Sequence, residues 1–135
     1  MGFGFPAGVA AKLIYPGREV IAVAGDGCFL MTGQELATAV QHGVNLITLV
    51  IDNSSYGTIR MYQERNFPRR VMATELHNPD FAAYARAFGA VGMTVDRTED
   101  FAGAFAEARR TNAPVLMHIK TSVEDILPGQ RLPNV

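Results

Sequence analysis

The chain has 135 residues, the length of one ordinary domain, and 48% of them are hydrophobic, which is enough to fill one core. Its 12 basic and 13 acidic side chains nearly cancel, which excludes the charge excess of nucleic-acid-binding and anionic-membrane-binding proteins. The single cysteine, Cys28, excludes an internal disulfide, no apolar run reaches the roughly 20 residues of a membrane span, and the start carries no secretory signal. We therefore expect a soluble, cytoplasmic, globular chain.

Apolar periodicity and turn residues predict alternating helices and strands. In chain order these are a helix at residues 7–15, a strand at 19–24, a helix at 32–42, a strand at 45–52, a short polar helix at 58–65, a helix at 78–89, a strand at 90–95, a helix at 98–111 and a strand at 113–123. Such alternation predicts βαβ units and a parallel sheet within an α/β fold. We expect one domain over residues 1–135, with a turn-rich, loosely held tail at 123–135.

Local signals predict where two of the helices begin and end. Thr32 and Glu35 have the spacing of a capping box, with Thr32 as the N-cap. Gly43 should end the same helix in the left-handed conformation. Asn78 or Asp80 should lie near the cap of the later helix.

Two loops rich in small and polar residues follow neighbouring predicted strands, at 25–28 and at 53–57. Ligands of open parallel sheets bind beyond the carboxyl ends of the strands, and one βαβ unit separates these loops, so they should lie side by side. Asp26 offers a carboxylate oxygen, Asn53 an amide oxygen and Ser55 a backbone carbonyl. Three such oxygen donors predict a site for a hard divalent cation, Mg²⁺ in particular.

The glycines of the first loop predict an anion site beside the metal. Without a Cβ in the way, the backbone N–H groups of Gly27 and Cys28 could approach a phosphate. Other phosphate motifs fit less well: a P-loop is missing, and "GFGFPA" (residues 2–7) has no strand before it, as a dinucleotide fingerprint requires. A magnesium-dependent phosphate-ester enzyme that uses Asp26 stays open as an alternative.

Gly25-Asp26-Gly27, followed by Asp52-Asn53, resembles the G-D-G…N-N signature of thiamine diphosphate enzymes. The stretches "MGFGFPAGVAAKL", "VIAVAGDGCFLMTGQELATAVQHGVNL" and "VIDNSSYGTIRMYQER" are similar to the C-terminal, diphosphate-binding domain of the acetolactate synthase and 2-oxoacid decarboxylase group. Asp52 replaces the first asparagine of the signature, which is not the metal ligand in that family. The resemblance implies a three-layer α/β/α fold with a mainly parallel sheet.

The resemblance also implies a cofactor, thiamine diphosphate with Mg²⁺, and a set of residues that bind it. Asp26 and Asn53 would bind the metal through side chains and Ser55 through its carbonyl. The cofactor-binding residues that it implies are Met1, under the bend of the cofactor, and Gly25, Asp26, Gly27, Cys28, Asn53, Ser55, Tyr56, Gly57 and Thr58. It implies no catalytic residue in this chain.

In the family, a pyrimidine-binding domain, usually from another subunit, brings the glutamate that activates the cofactor. No glutamate of this chain has a matching context, and the family's first strand and helix precede the position of Met1. We therefore expect a fragment, a truncated reading frame or one piece of a split enzyme, forming a homo-oligomer and inactive alone toward small 2-oxo acids. A non-catalytic remnant that folds and self-associates is the alternative.

His118, which lies in the last predicted strand, is expected to be packed or hydrogen-bonded.

Overall fold

The computed structural model of the chain describes residues 1–127 and 130–131. The helices are α1 (Gly4–Ile14), α2 (Asp26–Phe29), α3 (Leu36–Gln41), α4 (Gly57–Asn66), α5 (Phe81–Ala87) and α6 (Phe101–Arg110). The strands are β1 (Ile21–Gly25), β2 (Ile47–Asp52), β3 (Val91–Val95), β4 (Val115–Lys120), β5 (Asp125–Leu127) and β6 (Gln130–Arg131). None of the helices in this part of the chain is long and apolar enough to cross a membrane.

Strands β1 to β4 form one parallel sheet in the order β1-β2-β4-β3. Gly25 at the end of β1 lies opposite Ile51, and Asp52 at the end of β2 lies opposite Lys120. The predicted α/β fold with a parallel sheet is confirmed. Because β1 and β2 are neighbours, the chain segments that follow them leave the sheet side by side.

One face of the sheet is covered by α1, α3 and α5. Their buried side chains join Ala22, Ala24 and Val50 of the strands in one apolar cluster. Phe29 lies at its centre, 5.2 Å from the ring of Phe5 and 5.6 Å edge-on from the ring of Phe81. This core therefore attaches the segment after β1 to α1 and to α5.

The opposite face is covered by α6. Phe101, Phe105 and Ala108 of this helix pack with a second cluster that includes Val115 and Met117 of β4. The helices therefore lie on both sides of the sheet, in three layers. Strand β1, at the edge of the sheet, is less well covered on this face, where Val23 is 60% exposed.

The starts of the first two predicted helices differ from the structure. Helix α1 begins at Gly4 rather than at residue 7, and Pro6 is accommodated because an N–H of the first turn has no intrahelical acceptor. The predicted capping box is wrong: the Thr32 hydroxyl donates to the carbonyl of Gly2 (2.9 Å), and Glu35 accepts from the Thr38 hydroxyl (2.8 Å). A 3₁₀ turn at Gly33–Glu35 precedes α3 instead.

The predicted helix end at Gly43 is confirmed, and α5 also ends before a glycine. Gly43 has φ +59° after α3, and Gly89 has φ +87° after α5. Of the two cap candidates for α5, it is Asp80 whose side chain accepts from the Ala83 N–H (3.0 Å). The prediction of a loose tail falls partly on residues 128–129 and 132–135, which lie outside the described residues, while β5 pairs with β6.

Candidate functional site

The two predicted site loops meet at the carboxyl edge of the sheet. The first is a helical turn, α2, which begins at Asp26 directly after β1. A Cβ placed on Gly27 would lie 2.5 Å from Cε1 of Tyr56, so the tyrosine ring packs against the backbone of this turn. Only glycine permits this approach without a shift of the ring. The close packing of Gly27 on Tyr56 joins the segment after β1 to the segment after β2.

Asp26 is the buried carboxylate of the site, with 3% of its surface exposed. The Gly27 N–H donates to its Oδ1 (2.8 Å), and Nδ2 of Asn78 donates to its Oδ2 (2.7 Å). Burial raises the pKa of Asp26 above its ordinary value; these two hydrogen bonds lower it, and the neighbouring Asp52 carboxyl raises it. Each oxygen of Asp26 retains a further lone pair.

The second loop presents the other two predicted oxygen donors. Asn53 Oδ1 accepts from the Ser55 N–H (3.1 Å), and the Ser55 carbonyl accepts from the Gly57 N–H (2.8 Å). Each of these oxygens also has a second lone pair. A Cβ on Gly57 would lie 2.7 Å from Nδ2 of Asn53, so the glycine allows the amide to lie close to the start of α4.

An extended segment near residue 75 holds the second loop in place. Ser54 has φ +54°, which turns the chain sharply after Asn53. The Ser55 hydroxyl and the Tyr56 N–H both donate to the carbonyl of Thr74, at 2.9 Å and 2.8 Å. The buried Ser55 is thereby fixed on both sides, which defines the direction of its carbonyl.

Sequence reasoning missed a polar network beneath this site. It placed Asn78 only as a cap candidate, whereas Nδ2 of Asn78 donates to Asp26 and also to Oδ1 of Asp52 (2.7 Å). Oδ2 of Asp52 lies 2.6 Å from Nε2 of His118 and 3.0 Å from Nζ of Lys120. The sequence contained one signal for this network: His118 and Lys120 are polar residues in an otherwise apolar strand. In the structure that strand, β4, pairs with β2, and Lys120 lies opposite Asp52.

Asp52 is ionised in this network. Burial, the largest single influence, would raise the pKa of Asp52, but the donors outweigh it: the side chains of His118, Lys120 and Asn78 and the Ser54 N–H. Together they hold the pKa well below its usual range. The expectation that His118 is packed or hydrogen-bonded agrees with this geometry, since the ring is 1% exposed, lies edge-on to Phe81 at 5.1 Å and contacts Asp52.

The donor set fits the predicted metal. A carboxylate, an amide oxygen and a backbone carbonyl are hard donors of the kind that Mg²⁺ takes together with phosphate and water oxygens. A Cβ on Gly25 would meet no atom within 4 Å, so the space beside the carboxylate turn is open to a ligand. Among the described residues, no group of three His, Cys, Asp or Glu side chains could hold a metal. The predicted magnesium ligands are not such a group, because only one of the three is a carboxylate and the others are an amide oxygen and a backbone carbonyl.

The remaining predicted residues lie around these two segments. Gly57 and Thr58 open α4. The Gly57 N–H already donates to the Ser55 carbonyl, whereas the Thr58 N–H has no intrahelical acceptor and is suited to an anion. Cys28 is a free, half-buried thiol within α2. Met1 is exposed ahead of α1, and the hydrogen bond of Gly2 to Thr32 holds its segment against the chain after α2.

Residues 1–119 match the family described as "Thiamine pyrophosphate enzyme, C-terminal TPP binding domain". The chain is 41% identical to an acetolactate synthase of Mycobacterium bovis over 123 residues, which are 87% of this chain and 20% of that protein. It is 35% identical to the acetolactate synthase isozyme 2 large subunit of Escherichia coli K12 over 130 residues, 95% of this chain and 24% of that protein. It is also 35% identical to a mitochondrial acetolactate synthase of Schizosaccharomyces pombe over 133 residues, 96% of this chain and 20% of that protein.

Proposed function

Because the chain belongs to the family of C-terminal binding domains of thiamine pyrophosphate enzymes, as its motifs predicted, we propose that it binds Mg²⁺ and the diphosphate of thiamine diphosphate. The observation that carries this proposal is the buried carboxylate of Asp26, at the end of β1, beside the oxygen donors that follow β2. A bound cation would offset the cost of burying this charge.

The side chains of Asp26 and Asn53 and the carbonyl of Ser55 would hold the metal. Backbone groups of the turn at 25–28 and of the segment 56–58 would line the diphosphate. This is supported by the start of α4 at Gly57, because the first N–H groups of a helix suit an anion. Met1 would support the bend of the cofactor. These residue roles are the ones that the resemblance to the family implies for this chain.

The chain spans about a fifth to a quarter of the length of these relatives. We propose that it serves within an acetolactate-synthase-like enzyme that decarboxylates small 2-oxo acids or joins them to an acceptor. Thiamine diphosphate supplies a carbon nucleophile and an electron sink for such chemistry. The activating glutamate would come from a pyrimidine-binding domain in a homo-oligomer. The name of the Escherichia coli relative, a "large subunit", says only that this relative is part of an assembly of subunits.

A cytoplasmic location is also a proposal. It is supported by the lone Cys28, which is free and half-buried, as is usual for proteins of reducing compartments.

A thermal-shift experiment tests the cofactor proposal. Thiamine diphosphate with Mg²⁺ should raise the melting temperature of the chain, because a ligand at 100 times its dissociation constant adds about 2.7 kcal/mol to the free energy of unfolding. Asp26→Ala should abolish the rise. The matched control is Asp96→Ala, at an exposed aspartate after β3, which should keep it.

Each other outcome of this experiment favours an alternative. If millimolar thiamine diphosphate gives no shift, the chain is better described as a remnant that folds and self-associates. A shift with phosphomonoesters but not with thiamine diphosphate would favour a magnesium-dependent phosphate-ester enzyme that uses Asp26. In a separate assay, release of CO₂ from a 2-oxo acid by the pure, cofactor-loaded chain would contradict the expectation that it is inactive alone.

A further inference from the structure

We propose that Asn78 is a positioning residue that holds the Asp26 carboxylate in its metal-binding orientation, with Asp52 as the fixed anchor. The inference rests on the proposed function in so far as Asp26 is taken as a metal ligand. The positioning itself is a property of the metal-free chain. Asn78 is distant in the chain from Asp26 and Asp52, and the fold places its side chain next to both of them.

The amide of Asn78 bridges two carboxylates. Its Nδ2 donates to Oδ2 of Asp26 and to Oδ1 of Asp52, both at 2.7 Å, so each amide hydrogen serves one carboxylate. The amide can lie only this way round, because a flipped amide would place its oxygen against two carboxylates. Hydrogen bonds to ionised acceptors are among the strong ones in proteins, and this pair fixes the distance between two groups that repel each other.

The backbone around Asn78 is held on both sides. Before it, the Leu76 N–H donates to the carbonyl of Ser54 (2.9 Å). After it, Pro79 restricts Asn78 to extended backbone, and Asp80 caps α5 through the Ala83 N–H (3.0 Å). The amide therefore reaches the two carboxylates from a backbone that cannot easily withdraw.

Asp52 provides the fixed end of the bridge. Its oxygens accept from the Ser54 N–H (2.9 Å), from Nε2 of His118 (2.6 Å) and from Nζ of Lys120 (3.0 Å), besides Asn78. Asp52 is buried, and the ring of His118 is itself held by packing. Because Lys120 balances the charge of Asp52, the charge of Asp26 stays available for a cation.

Without the amide, Oδ2 of Asp26 would lose its donor and face the Asp52 carboxylate. Repulsion would then turn the Asp26 side chain, whose other oxygen is tied only to the adjacent Gly27 N–H. Residues that orient a metal ligand typically change metal affinity by roughly 10-fold to 100-fold when they are replaced. We expect a loss in that range when the donor is removed.

The test compares Asn78→Leu, which keeps the branched shape of the side chain and removes the donors, with Asn78→Ser, which retains one donor. The control is Asn112→Leu, at an exposed asparagine at the opposite edge of the sheet that hydrogen-bonds only Asn45 among the described side chains. In the metal-free chain, three-bond NMR couplings report the Asp26 side-chain rotamer. With thiamine diphosphate present, the electron paramagnetic resonance signal of free Mn²⁺ reports metal affinity.

We expect one Asp26 rotamer in the native chain and in Asn112→Leu, and averaged couplings in Asn78→Leu. Mn²⁺ affinity should fall about 10-fold or more in Asn78→Leu and by less in Asn78→Ser. If Asn78→Leu does not fold, Asn78→Ser decides by the same two readouts. A lower urea midpoint with unchanged couplings and unchanged Mn²⁺ affinity would overturn the proposal, because Asn78 would then only stabilise the fold.

The two proposals fail in different ways. If the native chain binds no Mn²⁺ with thiamine diphosphate, the proposed function fails. The rotamer of Asp26 in the metal-free native and variant chains still decides whether Asn78 positions it. If the native chain binds Mn²⁺ and the Asn78 variants bind it equally well, the positioning proposal fails alone.

Discussion

Asp52 departs from the family signature, and two side chains of the neighbouring strand bind its carboxylate. Where the signature has asparagine, this chain has a carboxylate, which accepts from His118 and Lys120 on the neighbouring strand. A neutral amide at position 52 would leave the ammonium of Lys120 without a counter-charge here. The three side chains therefore form one unit, and replacing one buried member alone should cost more than its own hydrogen bond.

At the same scale, Asp80 gives a prediction about pH. The Ala83 N–H, which Asp80 caps, is the main cause that lowers the pKa of its carboxyl, and Arg86 at 3.8 Å adds to it. Because the folded-state pKa lies below the unfolded value, the contribution of the charge to stability is present above about pH 4 and is lost as the pH falls through the folded pKa. Asp80 is exposed, so this contribution should be about 0.3–1 kcal/mol.

The measurement is urea unfolding of the native chain and Asp80→Asn at about pH 7 and about pH 3. Asparagine caps a helix about as well as aspartate, so only the charge is removed. The advantage of the native chain over Asp80→Asn should be present at the higher pH and shrink at the lower one. Asp80→Ala, which removes the cap as well, should lose about 1 kcal/mol at the higher pH. Equal differences at both pH values for Asp80→Asn would contradict this account.

At the scale of elements, the close packing of α5 on β3 depends on Gly92. A Cβ at this position would lie 2.0 Å from the carbonyl oxygen of Ala82, and backbone cannot move aside as a side chain can. Gly92→Ala should therefore push α5 from the sheet and lower the free energy of unfolding by about 1–3 kcal/mol or more. Urea unfolding measures the loss.

A second glycine offers the matched control. Gly103 lies in α6, and a Cβ there would meet nothing within 4 Å. Gly103→Ala should raise the free energy of unfolding by about 0.5–1 kcal/mol, because alanine has the higher helix propensity. If both substitutions shift the free energy of unfolding in the same direction by similar amounts, the close packing of α5 on β3 does not depend on Gly92.

The elements also show what the sequence could predict. Strands β1 and β2 and the loops after them follow from apolar runs that end at glycine, aspartate and asparagine, signals that are local in the chain. The start of α3 did not follow, because Thr32 and Glu35 have partners at Gly2 and Thr38 that the capping-box pattern does not anticipate. Asn78 was missed for the same reason: its role depends on contacts with Asp26 and Asp52, which are distant in the chain.

At the scale of the whole molecule, the two faces of the sheet are covered unequally. Helices α1, α3 and α5 cover one face along its length, whereas α6 packs on the strands away from β1. Ile21 and Val23, on the less covered face of β1, are 42% and 60% exposed. Apolar side chains along an edge strand form a surface that favours association with another chain.

This surface leads to a prediction about assembly. The chain should self-associate as its concentration rises, and Val23→Lys should weaken the association because it places a charge in the apolar strip. The free energy of unfolding of the monomer should change by less than about 0.5 kcal/mol, since the side chain is solvent-exposed. Thr94→Lys, at an exposed position of β3, is the control and should associate as the native chain does. Sedimentation velocity over a range of concentrations measures this, and an unchanged concentration dependence in Val23→Lys would place the association elsewhere on the molecule.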